Sequence, residues 1–391
     1  MNRTQLLQET RKMHFEEILS LRTKHRLTQE EAARMLGVSD RTFRRYVDRY
    51  NEGGLDGLLD KRLTQESARK APADEAMALV DRYRSQHKGW NVMHFHAWYQ
   101  RDGGTRSYSW VKNQLQAAQV VPKGKKRGAH RKKRERSPLP GMMIHQDGST
   151  HEWVPGKKWD LIVTMDDATN EHYSMFFTDE EGTASSFAGV KDVLLARGLF
   201  CSFYSDRGSH YWHTPEAGGK VDKKNLTQFG RAMHQLGIEM IPAYSPEARG
   251  RSERAFSTHQ DRLVKELAFF GITEMAAANH YLRERYLPAF NAEFMEPAPE
   301  QGSGFVPLLN AQINDILCEQ HERTVGRNNC VTFERITLQI PQNSHRCNYI
   351  KVKVRIHRYP DRSLAIFHGP RKLADYHPDG KIKEGQDKAA A

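Results

Sequence analysis

The chain has 391 residues, 28% of them charged, and carries 60 Lys and Arg against 48 Asp and Glu for a formal net charge of +12. That length exceeds one typical domain and can bury more than one core, while the positive balance favours a polyanionic partner, most simply nucleic acid. Cys201, Cys318, Cys330 and Cys347 are scattered without CxxC spacing, which argues against a disulfide framework or a Cys-rich zinc site; no apolar run approaches about 18 residues and the start MNRTQLLQETRK lacks a signal-peptide core, so a soluble, cytoplasmic protein with no membrane partner is expected.

Residues 5 to 25 read as a first helix. Thr28 followed by Glu31 is a capping-box pattern opening the short helix EEAARML, Gly37-Val38-Ser39 makes a turn, and Ser39 can cap the next helix, DRTFRRYVDRYNEGG. On that helix Phe43, Tyr46, Val47 and Tyr50 fall at i, i+3, i+4 and i+7 and form one apolar stripe, which leaves Arg41, Arg44, Arg45 and Arg49 on the other side. Two helices joined by a short Gly turn, the second one basic, match a helix-turn-helix over 1–62 with Arg41, Thr42, Arg44 and Arg45 as DNA contacts. The plainer alternative is a helical hairpin with a solvated arginine face. Residues 63–122 hold three further helical stretches, ADEAMALVDRYRSQ, NVMHFHAWYQRDG and SYSWVKNQLQAAQVV, read as a second helical DNA-binding domain; His94 and His96, two apart, diverge on a helix and suit packing better than metal.

The linker 123–137 is the most basic part of the chain. Residues 123 to 136 hold nine Lys and Arg against one Glu, so eight of the twelve net charges are local to it. Lys125, Lys126, Arg127, Arg131, Lys132, Lys133 and Arg134 are expected to track phosphates; a merely solvated linker is the alternative.

The texture changes at Pro138-Leu139-Pro140. Strand-like runs GMMIHQDGSTHEWV, KWDLIVTMDD and HYSMFFTD lead to the helix TASSFAGVKDVLLARG, the strand LFCSFYSD, the helix NLTQFGRAMHQLG, the strand IEMIPAY and a long helix from about residue 247. The order β-β-β-α-β-α-β-α is that of a ribonuclease H-like mixed-sheet core, placed at 138–296. A further helix broken at Pro288, a linker and helix over 297–326, a small antiparallel β-barrel or sheet at 327–378 and a disordered tail at 379–391 complete a multidomain α + α/β + β chain.

Three carboxylates stand out in the core. Asp147 lies within the first strand, Asp206 ends the fourth, and Glu253 opens the long helix beside its apolar stripe of Phe256, Leu263, Leu267 and Phe270. Hard divalent cations prefer such oxygens, and a pair of them about 3.5–4 Å apart suits phosphodiester chemistry. On spacing alone Asp160, Asp166, Asp167, Asp222, Glu247 and Glu266 compete, although Asp166 and Asp167 precede a turn, where aspartates cap for structural reasons.

The segments QDGSTHEW, IVTMDDATNEHYSMFF, FYSDRGSHYW and YSPEARGRSERAFSTHQDRL resemble the integrase core of bacterial insertion-sequence transposases of the DDE class, relatives of retroviral integrases. The resemblance implies that Asp147, Asp206 and Glu253 are the catalytic, metal-holding residues for two Mg2+ ions, with Mn2+ able to substitute. It implies binding to terminal inverted repeats, Mg-dependent end cleavage, strand transfer into target DNA, and a homo-oligomer, dimer or tetramer, on nucleoid DNA. Arg249, Arg251 and Arg254 flank Glu253 and become candidate phosphate contacts, with exposed turn arginines as the alternative. Two features depart from the class: Asp206 and Glu253 are 47 positions apart, longer than usual, with HTPEAGGKVDKKN as the apparent insertion, and the His/Cys zinc module of retroviral integrases is absent. Other functions compatible with the sequence are a repressor with an inactive core and a metal-dependent nuclease without strand transfer.

Overall fold

A computed structural model describes residues 3–59, 71–123, 135–216, 219–244, 250–309, 312–342 and 345–383. Its contacts divide the chain into two compact units, Met1–Arg82 and Tyr83–Ala391, a division that falls away from the expected boundaries at 62 and 122.

The first unit contains α1 (Arg3–Thr23), α2 (Gln29–Met35), α3 (Asp40–Gly53) and most of α4 (Ala73–Gln86). The capping box is present in full: Thr28 Oγ1 accepts from the Glu31 amide at 3.3 Å, and the Thr28 amide donates to Glu31 Oε2 at 2.8 Å. Ser39 Oγ accepts from the Thr42 amide and starts α3. Gly37, at φ +70°, carries the left-handed turn between α2 and α3, a conformation other residues reach only with strain. Phe43 is fully buried against Phe15, Ile18, Ala32 and Ala33, with Tyr46, Val47 and Tyr50 packed around them, so the expected stripe is the core of the unit.

In the second unit, α5 (Val92–Arg101) and α6 (Tyr108–Ala117) form as expected, capped by Asn91 and Ser107. The segment from Tyr83 packs onto the core. Trp90 and Trp98 meet Phe269 edge-on, and His94 Nε2 lies 2.6 Å from Glu266. His94 is thus a packing residue, and Glu266, also bonded by Trp98 and Tyr281, is a buried structural carboxylate.

Five strands build the central sheet: β1 (Met143–Val154), β2 (Lys157–Asp166), β3 (His172–Thr178), β4 (Ser202–Ser205) and β5 (Glu239–Pro242), in the order β3-β2-β1-β4-β5. β1, β2 and β3 are an antiparallel meander, while β1 to β4 and β4 to β5 are parallel. Parallel neighbours need a crossover, supplied by α7 (Thr183–Ala196) and α8 (Gln228–Leu236). Those helices cover one face, burying Ile144, Phe187, Val190, Phe203, Phe229 and Met233. At Gly189, α7 comes so close to the sheet that a Cβ would stand 2.3 Å from Gln146 Nε2 and 2.7 Å from Thr164 Oγ1.

The other face is covered by α9 (Gly250–Phe269), α10 (Met275–Tyr281) and α11 (Leu287–Phe294), which close over Trp153, Leu161, Val163, Met165 and Phe177. Between α10 and α11 the backbone passes through a π-helical stretch, Leu282–Tyr286, which ends two residues before Pro288. A proline nitrogen donates no hydrogen bond and its ring crowds the preceding turn, so the wider turn accommodates the expected break without ending the helix.

The C-terminal part begins earlier than expected. After α12 (Ile313–Ile316), β6 (Glu319–Thr324) joins β9 (Lys353–Arg358), β10 (Leu364–His368) and β11 (Arg371–Tyr376) in a sheet ordered β11-β10-β9-β6, and β7 (Cys330–Phe333) pairs with β8 (Ile336–Gln339). β6 falls inside the stretch expected to be linker and helix because its sequence, EQHERT, has no apolar alternation. Gln228 of α8 exchanges two hydrogen bonds with Gln320 and fastens this sheet to the core. The expected disordered tail instead starts with a turn in which Gly380 bonds to His377 and Lys383 to Asp375; residues 384–391 lie outside the described residues.

Candidate active site

Asp147 and Asp206 are brought together by strand register. The parallel ladder pairs Met143 with Ser202, Ile144 with Phe203 and His145 with Tyr204; carried two positions further, it sets Asp147 beside Asp206. Alternation along the strands puts both on the α9 face, since Asp147 lines a narrow crevice with His145, Val163, Met165 and the α9 residues Ser252, Ala255 and Phe256. Asp147 is 9% exposed and Asp206 partly exposed.

Glu253 lies in the first turn of α9 with its side chain exposed. Its level is fixed by a contact two turns on, where Gln260 Nε2 donates to Ser149 Oγ of β1 at 3.0 Å. Seven helical residues span about 10.5 Å and three strand residues about 10 Å, so Glu253 stands level with Gln146 and hence with the two aspartates. Its flank is fixed too. Arg251 and Arg262 leave the opposite flank toward Asp167 and Glu293, on the β2–β3 side, so Glu253 and Gln260 occupy the flank toward β4. Among the described residues no three His, Cys, Asp or Glu side chains are gathered closely enough to hold a metal ion. Asp147 and Asp206 thus follow the last paired residues of adjacent parallel strands, and Glu253 stands exposed in the first turn of the helix over that face. This all-oxygen donor set has the chemistry of a hard divalent cation site.

Hydrogen bonds from the surroundings brace the residues beside the aspartates. Trp212 Nε1 donates to Ser205 Oγ at 3.1 Å, Ser205 Oγ donates to the Asp206 carbonyl at 3.0 Å, and the Gly208 amide donates to Asp206 Oδ1 at 2.8 Å. Tyr211 donates its hydroxyl to Gln146 Oε1 at 2.9 Å. Burial holds that hydroxyl in its neutral form, and the negative charges of Glu181, Asp147 and Asp206 add to the effect. His210, 3.6 Å from Glu181, has its pKa lowered by burial, with Asp206 opposing the shift. Glu181, His210 and Tyr211 thus crowd the aspartates. SDRGSHYW carried that signal for His210 and Tyr211, but nothing local marks Glu181.

The competing carboxylates have other employment. Asp160 accepts from the Glu181 amide, Asp222 caps Lys224 and Asn225, and Asp166 accepts from Gly141, Ala168 and Thr169. Asp167, fully buried, takes His145 Nε2 at 2.8 Å, the amide and hydroxyl of Ser137 at 2.8 and 3.0 Å, and the Arg251 guanidinium. Burial would raise its pKa, but His145 and Arg251 outweigh burial and hold the carboxyl well below the ordinary range. Glu247 lies outside the described residues.

Of the expected DNA contacts, Arg41 and Arg45 are exposed on α3, Thr42 is partly exposed, and Arg44 is exposed but paired with Asp40 at 2.8 Å. Arg254 is exposed, its Nε donating to the Gly250 carbonyl. Arg251 departs from the expectation of an exposed phosphate contact, because its guanidinium is committed to Asp167 and the Glu135 carbonyl. Lys125, Lys126, Arg127, Arg131, Lys132, Lys133, Arg134 and Arg249 lie outside the described residues. No helix among the described residues is long and apolar enough to cross a membrane.

Comparison with known proteins places these features in context. The winged helix-turn-helix family matches residues 17–77. A Sinorhizobium fredii protein named "Putative transposase y4bF" is 31% identical over 361 residues, covering 90% of this chain and 77% of that protein. The transposase for insertion sequence IS1202 of Streptococcus pneumoniae is 29% identical over 202 residues, covering 51% of this chain and 43% of that protein. Among solved structures, the simian T-cell lymphotropic virus intasome in complex with a PP2A regulatory subunit matches at 13% identity and TM-score 0.33, over 78% of this chain and 98% of that one. The magnesium-bound catalytic core domain of HTLV-2 integrase matches at 15% identity and TM-score 0.29, over 38% and 88%.

Proposed function

Because the chain belongs to the transposases of bacterial insertion sequences, we infer that it is a DDE-type enzyme that cuts the ends of its element and joins them to target DNA. What supports this reading is the parallel register of β1 and β4, whose last pair, His145 with Tyr204, stands two residues before Asp147 and Asp206, together with Glu253 in the first turn of the helix that covers that face. Asp147, Asp206 and Glu253 would hold two Mg2+ ions, or Mn2+ in their place, which when bound neutralise charge on the attacking and leaving oxygens of a phosphodiester.

The chain's own residues do the rest. Arg41, Thr42, Arg44 and Arg45 on α3 read the terminal inverted repeats in the major groove, and the basic linker with Arg249 and Arg254 holds the backbone. Hydrolysis by water at an element end leaves a 3′-hydroxyl, whose oxygen then bonds to a target phosphorus in the same site while the target strand's P–O3′ bond breaks and that oxygen leaves as a new 3′-hydroxyl. Both steps are in-line phosphoryl transfers, so one carboxylate set serves both. Joining two ends in concert calls for a dimer or tetramer of the chain on DNA within the cell.

The test is a strand-transfer assay with an end-sequence duplex and Mg2+, comparing wild type with Asp206→Asn. Joined products from wild type and none from the variant, with both binding the duplex equally, support the reading. Hydrolysed ends that are never joined would mean a nuclease. Tight binding without chemistry from either protein would mean a repressor.

A further inference from the structure

The Asp167 cluster is used by none of the roles above, yet it touches both β1, which bears Asp147, and α9, which bears Glu253. Three chain segments meet on this one buried carboxylate. Residues 135–137, the end of the basic linker, supply the Ser137 amide and hydroxyl. His145, two residues before Asp147 on β1, supplies its ring nitrogen. Arg251, two residues before Glu253, supplies its guanidinium and donates also to the Asp167 and Glu135 carbonyls at 3.1 Å each. The linker end is further stapled by Arg136, which donates to the Ala168 carbonyl at 3.1 Å and pairs with Glu296 at 2.8 Å.

The first turn of a helix has amides with no partner in the helix itself, so its placement depends on side chains that tie it to its neighbours. For α9 the tie toward β2 is Arg251 to Asp167. We propose that Asp167 is a positioning residue: it fixes the first turn of α9, and Glu253 with it, against the strand bearing Asp147, and it couples that turn to the end of the basic linker. The proposal rests on the carboxylate reading for its catalytic consequence, but not for the mechanical one. An asparagine at 167 keeps the shape and loses the charge that holds a mostly buried guanidinium, which weakens the tie from α9 to both the strand and the linker.

The experiment uses the full chain with an end-sequence duplex and Asp167→Asn. Amide hydrogen exchange at residues 254–256, the first amides bonded within α9, is expected to quicken about tenfold, with 259–269 and β1 unchanged. Single-turnover end cleavage is expected to fall by about 10- to 100-fold, as a displacement near 1 Å would produce, while affinity for the duplex stays within about twofold. Should Asp167→Asn not fold, Ser137→Ala removes only the linker's hydroxyl and should give the same pattern at a smaller amplitude. Unchanged exchange over 254–256, or loss of protection spread evenly over β1 and β2, would overturn the proposal. If Asp206→Asn still cleaves, the carboxylate reading fails, and the exchange result still decides the hold of Asp167 on α9. If Asp206→Asn is dead while Asp167→Asn matches wild type in rate and exchange, this inference alone fails.

Discussion

Replacing Gly189 by alanine sets two effects of opposite sign against each other. In a helix interior alanine is favoured over glycine by about 1 kcal/mol, so on an open surface the change would stabilise α7. Here the new methyl would lie 2.3 Å from Gln146 Nε2 and 2.7 Å from Thr164 Oγ1, well inside contact. Gln146 cannot yield cheaply. It donates to Thr164 Oγ1 at 2.8 Å and to the Ser186 carbonyl at 3.3 Å, and it accepts from Tyr211 at 2.9 Å, all within the buried layer between sheet and helix. Overpacking costs about 1–3 kcal/mol and a buried polar group stripped of its partner about 1–3 more. After the helix gain is subtracted, a net loss of about 1–5 kcal/mol is expected. Trp90, Trp98, Trp110, Trp153, Trp159 and Trp212 all lie in the Tyr83–Ala391 unit, so tryptophan fluorescence during urea unfolding reads that unit alone. A higher urea midpoint for Gly189→Ala would refute the close packing of α7 on Gln146 and Thr164.

The same transition should depend on pH. His172 is buried against His259 at 3.2 Å, and burial lowers its pKa to about 4. The unfolded chain takes up the proton from about pH 6.5 downward while the native chain does not, so stability is full above that value and falls as pH drops. Between pH 6.5 and 5 His172 alone should cost about 2 kcal/mol; a midpoint that stays constant or rises over that interval would contradict the buried neutral pair. In the first unit, Arg41→Ala combined with Arg45→Ala should weaken binding to an end-sequence duplex at least about tenfold and reduce the slope of log K against log salt by about 1 to 2. The tryptophan transition should not move. Undiminished binding would remove α3 from the DNA interface.

The elements were readable wherever local pattern carries the information. The stripe from Phe43 to Tyr50, the Thr28 and Glu31 pair and the alternating strands announce their structures because each depends on neighbours a few residues away. Asp147 and Asp206 could be singled out as strand residues, but their pairing is a matter of register between strands nearly 60 positions apart, as in the bridge from Met143 to Ser202. Arg251 reads locally as a surface cation because its partner, Asp167, is 84 positions away. Asp167, by its place before a turn, reads locally as a turn cap, the job that Asp166 performs. β6 escaped notice since a polar strand is defined only by the strand it pairs with, here β9. The helices around Trp90 and Trp98 were legible, but their attachment to Phe269 depends on distant aromatic contacts.

The claim that β1, β4 and α9 deliver their carboxylates to one place is most directly tested by anomalous diffraction from crystals of the full chain, bound to an end-sequence duplex and soaked in Mn2+. Manganese is expected on oxygens of both Asp147 and Asp206, with the Glu253 carboxylate brought in from its exposed position to the same site. Manganese bound elsewhere, with Asp147 and Asp206 pointing into different pockets, would contradict it.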